Sequence, residues 1–361
     1  MKTALSLFSG AGGDTLGLEQ AGYKVTHFSE FSPDAIKTHQ ANFPHSTLLQ
    51  HNGDTDICNL PDEIFSAIKV DLIFAGFPCQ GFSHAGKKRQ DDPRNELVHQ
   101  FVRATRIIQP EWIIGENVKG LLSRKGVDPR TGENKEVIDI IVTLFKEIGY
   151  TICYKVLDAS DYGVPQQRKR LILIGCKGTF TFPDIPIQKK VPLLHAIEPS
   201  LVNAIKFTPP KGGSDSYWVK TTDTISGKPH PNLVRLVSGI RGLNPEERKE
   251  SDEKSVIEED GLLSYGKRSS GYHGEIVNVT QQSKTIICTY QSCPRLFVGL
   301  LKDSDHYIRT FTIRELTQIQ GFPRDFEFKG KSVIQQIGNS VPPPLAKAIA
   351  ESLREILVIE E

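Results

Sequence analysis

The sequence predicts an α/β fold: a mostly parallel sheet with helices on both faces, followed by a smaller, irregular, strand-containing region. Three observations predict it. Short apolar runs alternate with helical patterns through the first 175 residues, the signature of βαβ units. Several of those runs are apolar throughout, as strands buried on both faces must be. After about residue 178 the rhythm stops, and prolines and glycines take over.

The elements follow in order. "TALSLF" from Thr3 reads as a strand, and "TLGLEQAG" as a short helix stopped at Gly22. "KVTHFSE" is the second strand; "SPDAIKTHQANF" is a helix with Ser32 as its cap and Pro33 in its first turn. Asp71–Ala75 is an apolar strand running into Gly76-Phe77-Pro78-Cys79-Gln80-Gly81. Residues 95–108 place Leu97, Phe101, Ala104 and Ile108 on one helical face. "EWIIGEN" is a strand ending on Glu116 and Asn117, and "KEVIDIIVTLFKEIGY" an amphipathic helix with Gly149 at its end. "TICYKVLDA" and "RLILIGC" flank the turn "SDYGVPQQRK". Order returns late, with a capped helix in "TIRELTQIQGFP" and a long one after "VPPP" that is expected to pack back on the first region. The expected divisions are therefore 1–178, 179–305 and 306–361.

Composition narrows the class. A chain of 361 residues can bury one large core or two domains. No apolar run reaches the roughly 18 residues of a membrane span, and the first residues lack the pattern of a signal peptide. Six cysteines at 58, 79, 153, 176, 288 and 293 form no Cys-x-x-Cys pair. That predicts reduced thiols in a cytoplasmic protein and no metal site. The net charge of +1 hides local fields: residues 161–220 hold nine Lys or Arg against four Asp or Glu, and residues 221–260 hold six against nine. Basic stretches flanking an acidic one suit a positive cleft, although a mixed solvated surface gives similar counts.

Four places carry chemistry. Cys79 sits in a turn at the carboxyl end of a strand, where open α/β sheets place their ligands; the competing reading is a small buried hydrophobe. Pro78 ends the ladder and Gly81 permits the redirection. "FSGAGG" puts Phe8, Gly10 and Gly12 between a strand and a helix, but Thr15 stands where a dinucleotide fingerprint needs its third glycine. Glu30 ends the next strand, where a carboxylate can take both hydroxyls of a ribose, so an adenosine-bearing cofactor without a pyrophosphate is favoured over a plain βα turn. Glu116 would emerge on the same sheet edge as Cys79, unless it is merely a capping or salt-bridged carboxylate. Arg168 and Arg170 are spaced to share one face of an extended segment, where they would hold a carboxylate or phosphate or form an ordinary surface charge run.

Taken together, "FSGAGG", "GFPCQGFS", "GENVKGLL", "DYGVPQQRKR", "RELTQIQGFP" and "QIGNSVPPPLA" resemble, in order, motifs of the cytosine-5 DNA methyltransferases. That family includes the bacterial restriction-modification methylases, and the resemblance covers almost the whole chain. It implies a Rossmann-like S-adenosylmethionine-dependent methyltransferase fold, with residues 1–178 catalytic and cofactor-binding, 179–305 a target-recognition domain, and 306–361 returning to the catalytic part. It carries S-adenosylmethionine onto Phe8, Gly10, Gly12, Glu30, Pro78, Asn339 and Ser340. In "NGDTDICNL" the better fit is Asp56 with Ile57, although Asp54 is an alternative.

The implied chemistry explains the exposed thiol. Carbon 5 of cytosine is a poor nucleophile; a thiolate added to carbon 6 makes it enamine-like. Cys79 is the expected nucleophile, with Glu116 holding ring nitrogen 3 and the exocyclic amine. Arg168 is expected to orient Glu116 or the base carbonyl, with Arg170 as its neighbour. A stacked duplex blocks attack from above the ring, so the cytosine must be flipped out. Ser83, Lys87, Lys88 and Arg89, in a polar loop after the cysteine, are expected to contact double-stranded DNA; a plain solvent loop has the same composition. With no extension before the first motif, a stand-alone prokaryotic or phage enzyme is expected, monomeric and paired with a restriction endonuclease. An RNA methyltransferase of the same fold typically carries Cys-Phe-Thr, which is absent. A silent DNA-binding paralogue would have lost Cys79 or Glu116.

Overall fold

Each early apolar run becomes a strand of one sheet. In the computed structural model the chain opens with β1 (Thr3–Leu7), α1 (Gly13–Gln20), β2 (Lys24–Ser29), α2 (Pro33–Asn42), β3 (Thr47–Leu48), α3 (Asp62–Ser66) and β4 (Leu72–Ala75). It continues through α4 (Leu97–Ile108), β5 (Trp112–Val118), a hairpin of β6 (Lys125–Val127) and β7 (Asn134–Glu136), α5 (Val137–Glu147), β8 (Thr151–Asp158) and β9 (Lys169–Cys176). The structure describes residues 1–78, 97–128, 130–207, 234–237, 275–277, 279–291, 296–302 and 305–356. Cys79 and the expected DNA-loop residues Ser83, Lys87, Lys88 and Arg89 lie outside the described residues.

The seven strands order as β3-β2-β1-β4-β5-β9-β8. Pairs from β3 to β5 are parallel, and β9 runs against both its neighbours. The reversal has a simple cause: a short turn joins β8 to β9, and only a long crossover returns a strand parallel. From β1 the chain builds outward to β2 and β3, then crosses to β4 on the other side. The switch point therefore lies between β1 and β4, which is where such sheets open a crevice at their carboxyl ends.

Strand β4 shows why its run is apolar. Leu72 and Phe74 face a core shared with Leu18 of α1. Ile73 and Ala75 face the opposite core, shared with Phe101 of α4 and Phe145 of α5. On α4 the buried residues are Val98, Phe101, Ala104 and Thr105, one helical stripe. Ser32 does precede α2 and Pro33 opens it, but the Ser32 side chain makes no capping bond.

The second sheet comprises β10 (Ile205–Phe207), β11 (Val234–Val237), β12 (Glu275–Ile276), β13 (Leu296–Lys302) and β14 (Asp305–Thr310). Its order is β10-β14-β13-β11, with β12 beside β13. Then come α6 (Ile313–Ile319), α7 (Val333–Asn339) and α8 (Pro343–Ser352). The second core also takes Leu316 and Ile319 of α6 and Ile337 of α7. So the strand beginning at Asp305 and the two helices after it pack with the second sheet, past the expected division at 305. The chain between α6 and α7 bonds to Asp34, Thr38 and Asn42 of α2, and α8 places Leu345 and Ile349 in the core of α1. The start of α6 is locked by a capping box between Thr312 and Glu315 and by Arg309, buried and doubly bonded to Glu315 at 2.7 Å.

Among the described residues no helix is long and apolar enough to cross a membrane. Among them, too, no three His, Cys, Asp or Glu side chains are placed to hold a metal ion.

Candidate active site

The cofactor side is built at the ends of β1, β2 and β3. Phe8, Gly10 and Gly12 all have positive φ, at 57°, 55° and 89°; glycine adopts that region freely, and Phe8 is the costly exception. A Cβ on Gly10 would meet nothing within 4 Å, so the turn borders open space, whereas one on Gly12 would sit 2.6 Å from the Phe43 ring. Glu30 draws the turn together. Its Oε2 accepts from the Gly10 amide at 2.8 Å, and its Oε1 accepts from the amides of Phe31 and Ser32 at 2.9 and 2.8 Å. Burial pushes the Glu30 carboxyl up, and those three amides pull it back down.

Asp54 and Asp56 have different tasks. Asp54 accepts from the Asp56 amide and the Asn59 side chain, which folds the turn; Asp56 is exposed and accepts from the Cys58 amide. Ile57 is buried in the core beside Leu60, and Arg103 of α4 donates to the carbonyls of both. Asn339 is exposed, but the Ser340 hydroxyl donates inward to the Gln336 carbonyl at 2.7 Å. The last motif nevertheless reaches the strand ends: a Cβ on Gly76 would lie 3.7 Å from Val341 and 3.8 Å from the Phe8 carbonyl. The sequence reading missed Phe31, whose ring is 71% exposed beside Glu30. The available signal was a large aromatic residue following a strand-terminal carboxylate.

The base side is built at the ends of β4, β5 and β9. Glu116 and Arg170 form an ion pair, Oε1 to Nε at 2.8 Å, with each side chain only 12% exposed. Asn117, also unassigned from sequence, is buried and donates to the Phe77 carbonyl at 3.0 Å, one residue before Pro78. It thereby ties the strand bearing Glu116 to the segment that leads into Cys79.

The hydrogen bonds of the Arg168 guanidinium go to backbone carbonyls. The side chain is buried and donates to the carbonyls of Ile286 at 3.3 Å, Gly338 at 3.0 Å and Ser340 at 3.1 Å. Gln166 extends this seam, accepting from the Ile286 amide and donating to Gln320, which donates in turn to the Ser340 carbonyl. The reason is tertiary: the chain at 165–168 lies alongside Ser283 and Ile286, so Arg168 meets carbonyls before it meets the site. Burial, then the charge of Arg170, hold Arg168 well below the usual arginine range, and Glu116 works the other way.

Behind both sides lies Asp14 in the first turn of α1, accepting from Ser6 of β1. Burial lifts its pKa to about 7, against the Ser6 hydrogen bond, with a further small push from Glu116. A cavity of about 300 Å³ lined by Gly163, His195, Gln318, Phe322 and Arg324 lies elsewhere, and none of the expected site residues lines it.

The geometry agrees with the comparisons. A family model described as C-5 cytosine-specific DNA methylase matches residues 2–355. Type II methyltransferase M1.HphI of Haemophilus parahaemolyticus is 32% identical, over 97% of this chain and 86% of its own. Type II methyltransferase M.FnuDI of Fusobacterium nucleatum is 31% identical, over 99% and 95%. Among solved structures, a putative DNA modification methyltransferase encoded within an E. coli prophage superposes with a TM-score of 0.61 at 24% identity, covering 98% of this chain and 99% of that one. A family model spanning nearly the whole chain and relatives above 30% identity along its length give one result: the chain is a member of the C-5 cytosine-specific DNA methylase family.

Proposed function

We propose that in this DNA cytosine-5 methyltransferase Cys79 is the nucleophile, Glu116 the group that works on the base, and Arg170 the residue that holds Glu116 in place. The single observation carrying this reading is the largely buried Glu116–Arg170 pair at the sheet edge, near the segment that leads from β4 to Pro78. The Cys79 thiolate adds to carbon 6 of a flipped-out cytosine, and carbon 5 gains nucleophilic character. Glu116 meets ring nitrogen 3 and the exocyclic amine, sharing a proton as charge develops. Once carbon 5 carries the methyl group, loss of its proton to a base restores the 5,6 double bond and breaks the carbon 6–sulfur bond, which frees the Cys79 thiolate. Asn117 fixes the carbonyl just before Pro78 and so the angle at which the cysteine-bearing segment leaves the sheet.

The residues present fit S-adenosylmethionine. Open space beside Gly10, a carboxylate already drawn to the glycine turn, and the exposed Phe31 ring together suit an adenosine. When bound, this cofactor supplies an electrophilic methyl group. Phe8, Gly10, Gly12, Glu30, Asp56 and Ile57 are the residues we assign to it, with Pro78 and Asn339 at its rim. Ser340 contributes by position, because its hydroxyl is engaged inward. Residues from about 180 to 300 read the DNA sequence, while Ser83, Lys87, Lys88 and Arg89 contact its backbone. The enzyme works as a cytoplasmic monomer that protects DNA from a cognate restriction endonuclease.

The test is tritiated methyl incorporation into DNA from an unmodified host. Cys79→Ser should abolish it while gel-shift affinity for DNA persists, since a hydroxyl is a far weaker nucleophile than a thiolate. Near-normal turnover in the serine variant would remove Cys79 from the mechanism.

A further inference from the structure

Two lysines at the mouth of the base side have no part in the chemistry above. The β5–β9 ladder ends on the pair Val118 and Arg170, and Lys119 and Lys169 are the next residues outward on the two chains. The turn over 119–123 packs against β9, so both residues lie at the ladder's open end. Both are exposed. Among the described residues neither forms an ion pair. Glu116 is already taken by Arg170, and Asp158, which lies opposite Lys169 in the β8–β9 ladder, accepts from the Ser160 and Arg168 amides.

Two lysines at one ladder end gather like charge there. The hairpin just downstream pairs Arg130 with Asp128 and Glu147, and Lys135 with Glu133. Lys119 and Lys169 have no such pairing among the described residues, and they flank the one place on the sheet edge where a base must be held. A polyanion arriving there would offset that charge. Lysine suits a phosphate contact that positions a strand without reading it.

We propose that Lys119 and Lys169 grip the phosphate backbone of duplex DNA on the two sides of the nucleotide presented to Glu116. The inference rests on the methyltransferase reading and adds two positioning contacts to it. Each contact displaces condensed counterions, so it leaves a mark that a general loss of stability does not. For duplex DNA the slope of log affinity against log salt changes by about 0.9 per phosphate neutralised.

The experiment measures that slope for the full-length protein with a mixed-sequence duplex, by fluorescence anisotropy, and in parallel the salt dependence of kcat/KM with unmodified genomic DNA. Lys119→Ala and Lys169→Ala should each flatten the slope by about 0.9, and the double variant by about 1.8. Across a fourfold rise in salt that is about a three- to fourfold smaller loss of affinity per lysine. Lys119→Arg and Lys169→Arg should restore the wild-type slope. A double alanine variant that binds cofactor normally yet keeps the wild-type slope in both assays would overturn the proposal. If the wild-type protein bound DNA with the expected slope but incorporated no methyl group, the methyltransferase reading would fail and the lysine contacts would stand.

Discussion

On the β1–β2 side of the sheet edge the site is shaped by backbone: three residues at positive φ, and a carboxylate gathered in by three amides. On the β5–β9 side it is shaped by side chains that hold one another: Glu116 on Arg170, Asn117 on the Phe77 carbonyl. The two constructions fail differently. Many substitutions leave a backbone cradle standing and weaken what binds in it. A side-chain pair loses its function when either partner goes, because the survivor is left as an uncompensated, largely buried charge.

The largest effect is therefore expected on the base side. Glu116→Gln and Arg170→Met should each lower the rate of methyl transfer by about 10² to 10⁴, the usual range for a positioned acid–base group. The affinity for S-adenosylhomocysteine without DNA should stay within about twofold. Single-turnover incorporation and calorimetric titration check the two halves of this statement. If cofactor affinity fell while single-turnover chemistry survived, the two sides would not be separate constructions.

Arg168 is the exception that sharpens the contrast. It leaves the same turn as Arg170, but its guanidinium binds the Ser340 and Gly338 carbonyls beside the expected cofactor rim. Arg168→Lys should therefore behave as a cofactor-side variant: KM for S-adenosylmethionine rises by about tenfold, while kcat at saturating cofactor falls by less than about threefold, since lysine retains one of the hydrogen bonds at a cost of about 1 to 2 kcal/mol. A drop in kcat at unchanged KM would return Arg168 to the base.

These two arginines also show what a sequence discloses. Strands β4 and β5 and the helical stripe of α4 were legible, because periodicity acts locally, although β4 ends at Ala75 before Pro78 is reached and β5 runs on past Glu116 to Val118. The spacing of Arg168 and Arg170 predicts a shared face, and it cannot say that Ile286, some 118 residues away, supplies a carbonyl to one of them. Strand β3 and helix α3 escaped notice for a different reason: two and five residues are too short to show a period. The packing of α6 and α7 with the second sheet was equally hidden. An amphipathic helix declares that it has an apolar face and not which core receives it.

A smaller effect is expected at Phe31, an exposed ring on the proposed cofactor side. The ring is exposed and adjacent to Glu30, and stacking of a base on an aromatic ring is worth about 1–3 kcal/mol. Phe31→Ala should weaken S-adenosylhomocysteine binding by roughly tenfold, and Phe31→Trp should retain it. Because the ring is exposed, thermal stability without cofactor should hardly change. Equal binding by the alanine variant would mean that the adenine lies on backbone alone.

The smallest effect on turnover is expected at Asp14, which belongs to the helix of one side and feels the carboxylate of the other. Its consequence is for stability. The folded pKa of about 7 lies above the ordinary 3.8, so between those values the native protein holds a proton that the unfolded chain has released. Stability from this group is present below about pH 4 and is lost as pH rises toward 7. His39 slopes the other way. It is buried against Phe28, with its pKa lowered to about 3 by burial and by His45, so it favours the native state less as pH falls from 6.5. Over most of the window the two oppose each other in the wild-type protein. Asp14→Asn keeps an acceptor for Ser6 and removes only the titration. The variant's stability relative to wild type should rise with pH from 4 to 7, at up to about 1.4 kcal/mol per unit, and then level off. Urea midpoints measured across that range would show a flat difference if Asp14 were ionised throughout, and burial would then not hold its proton.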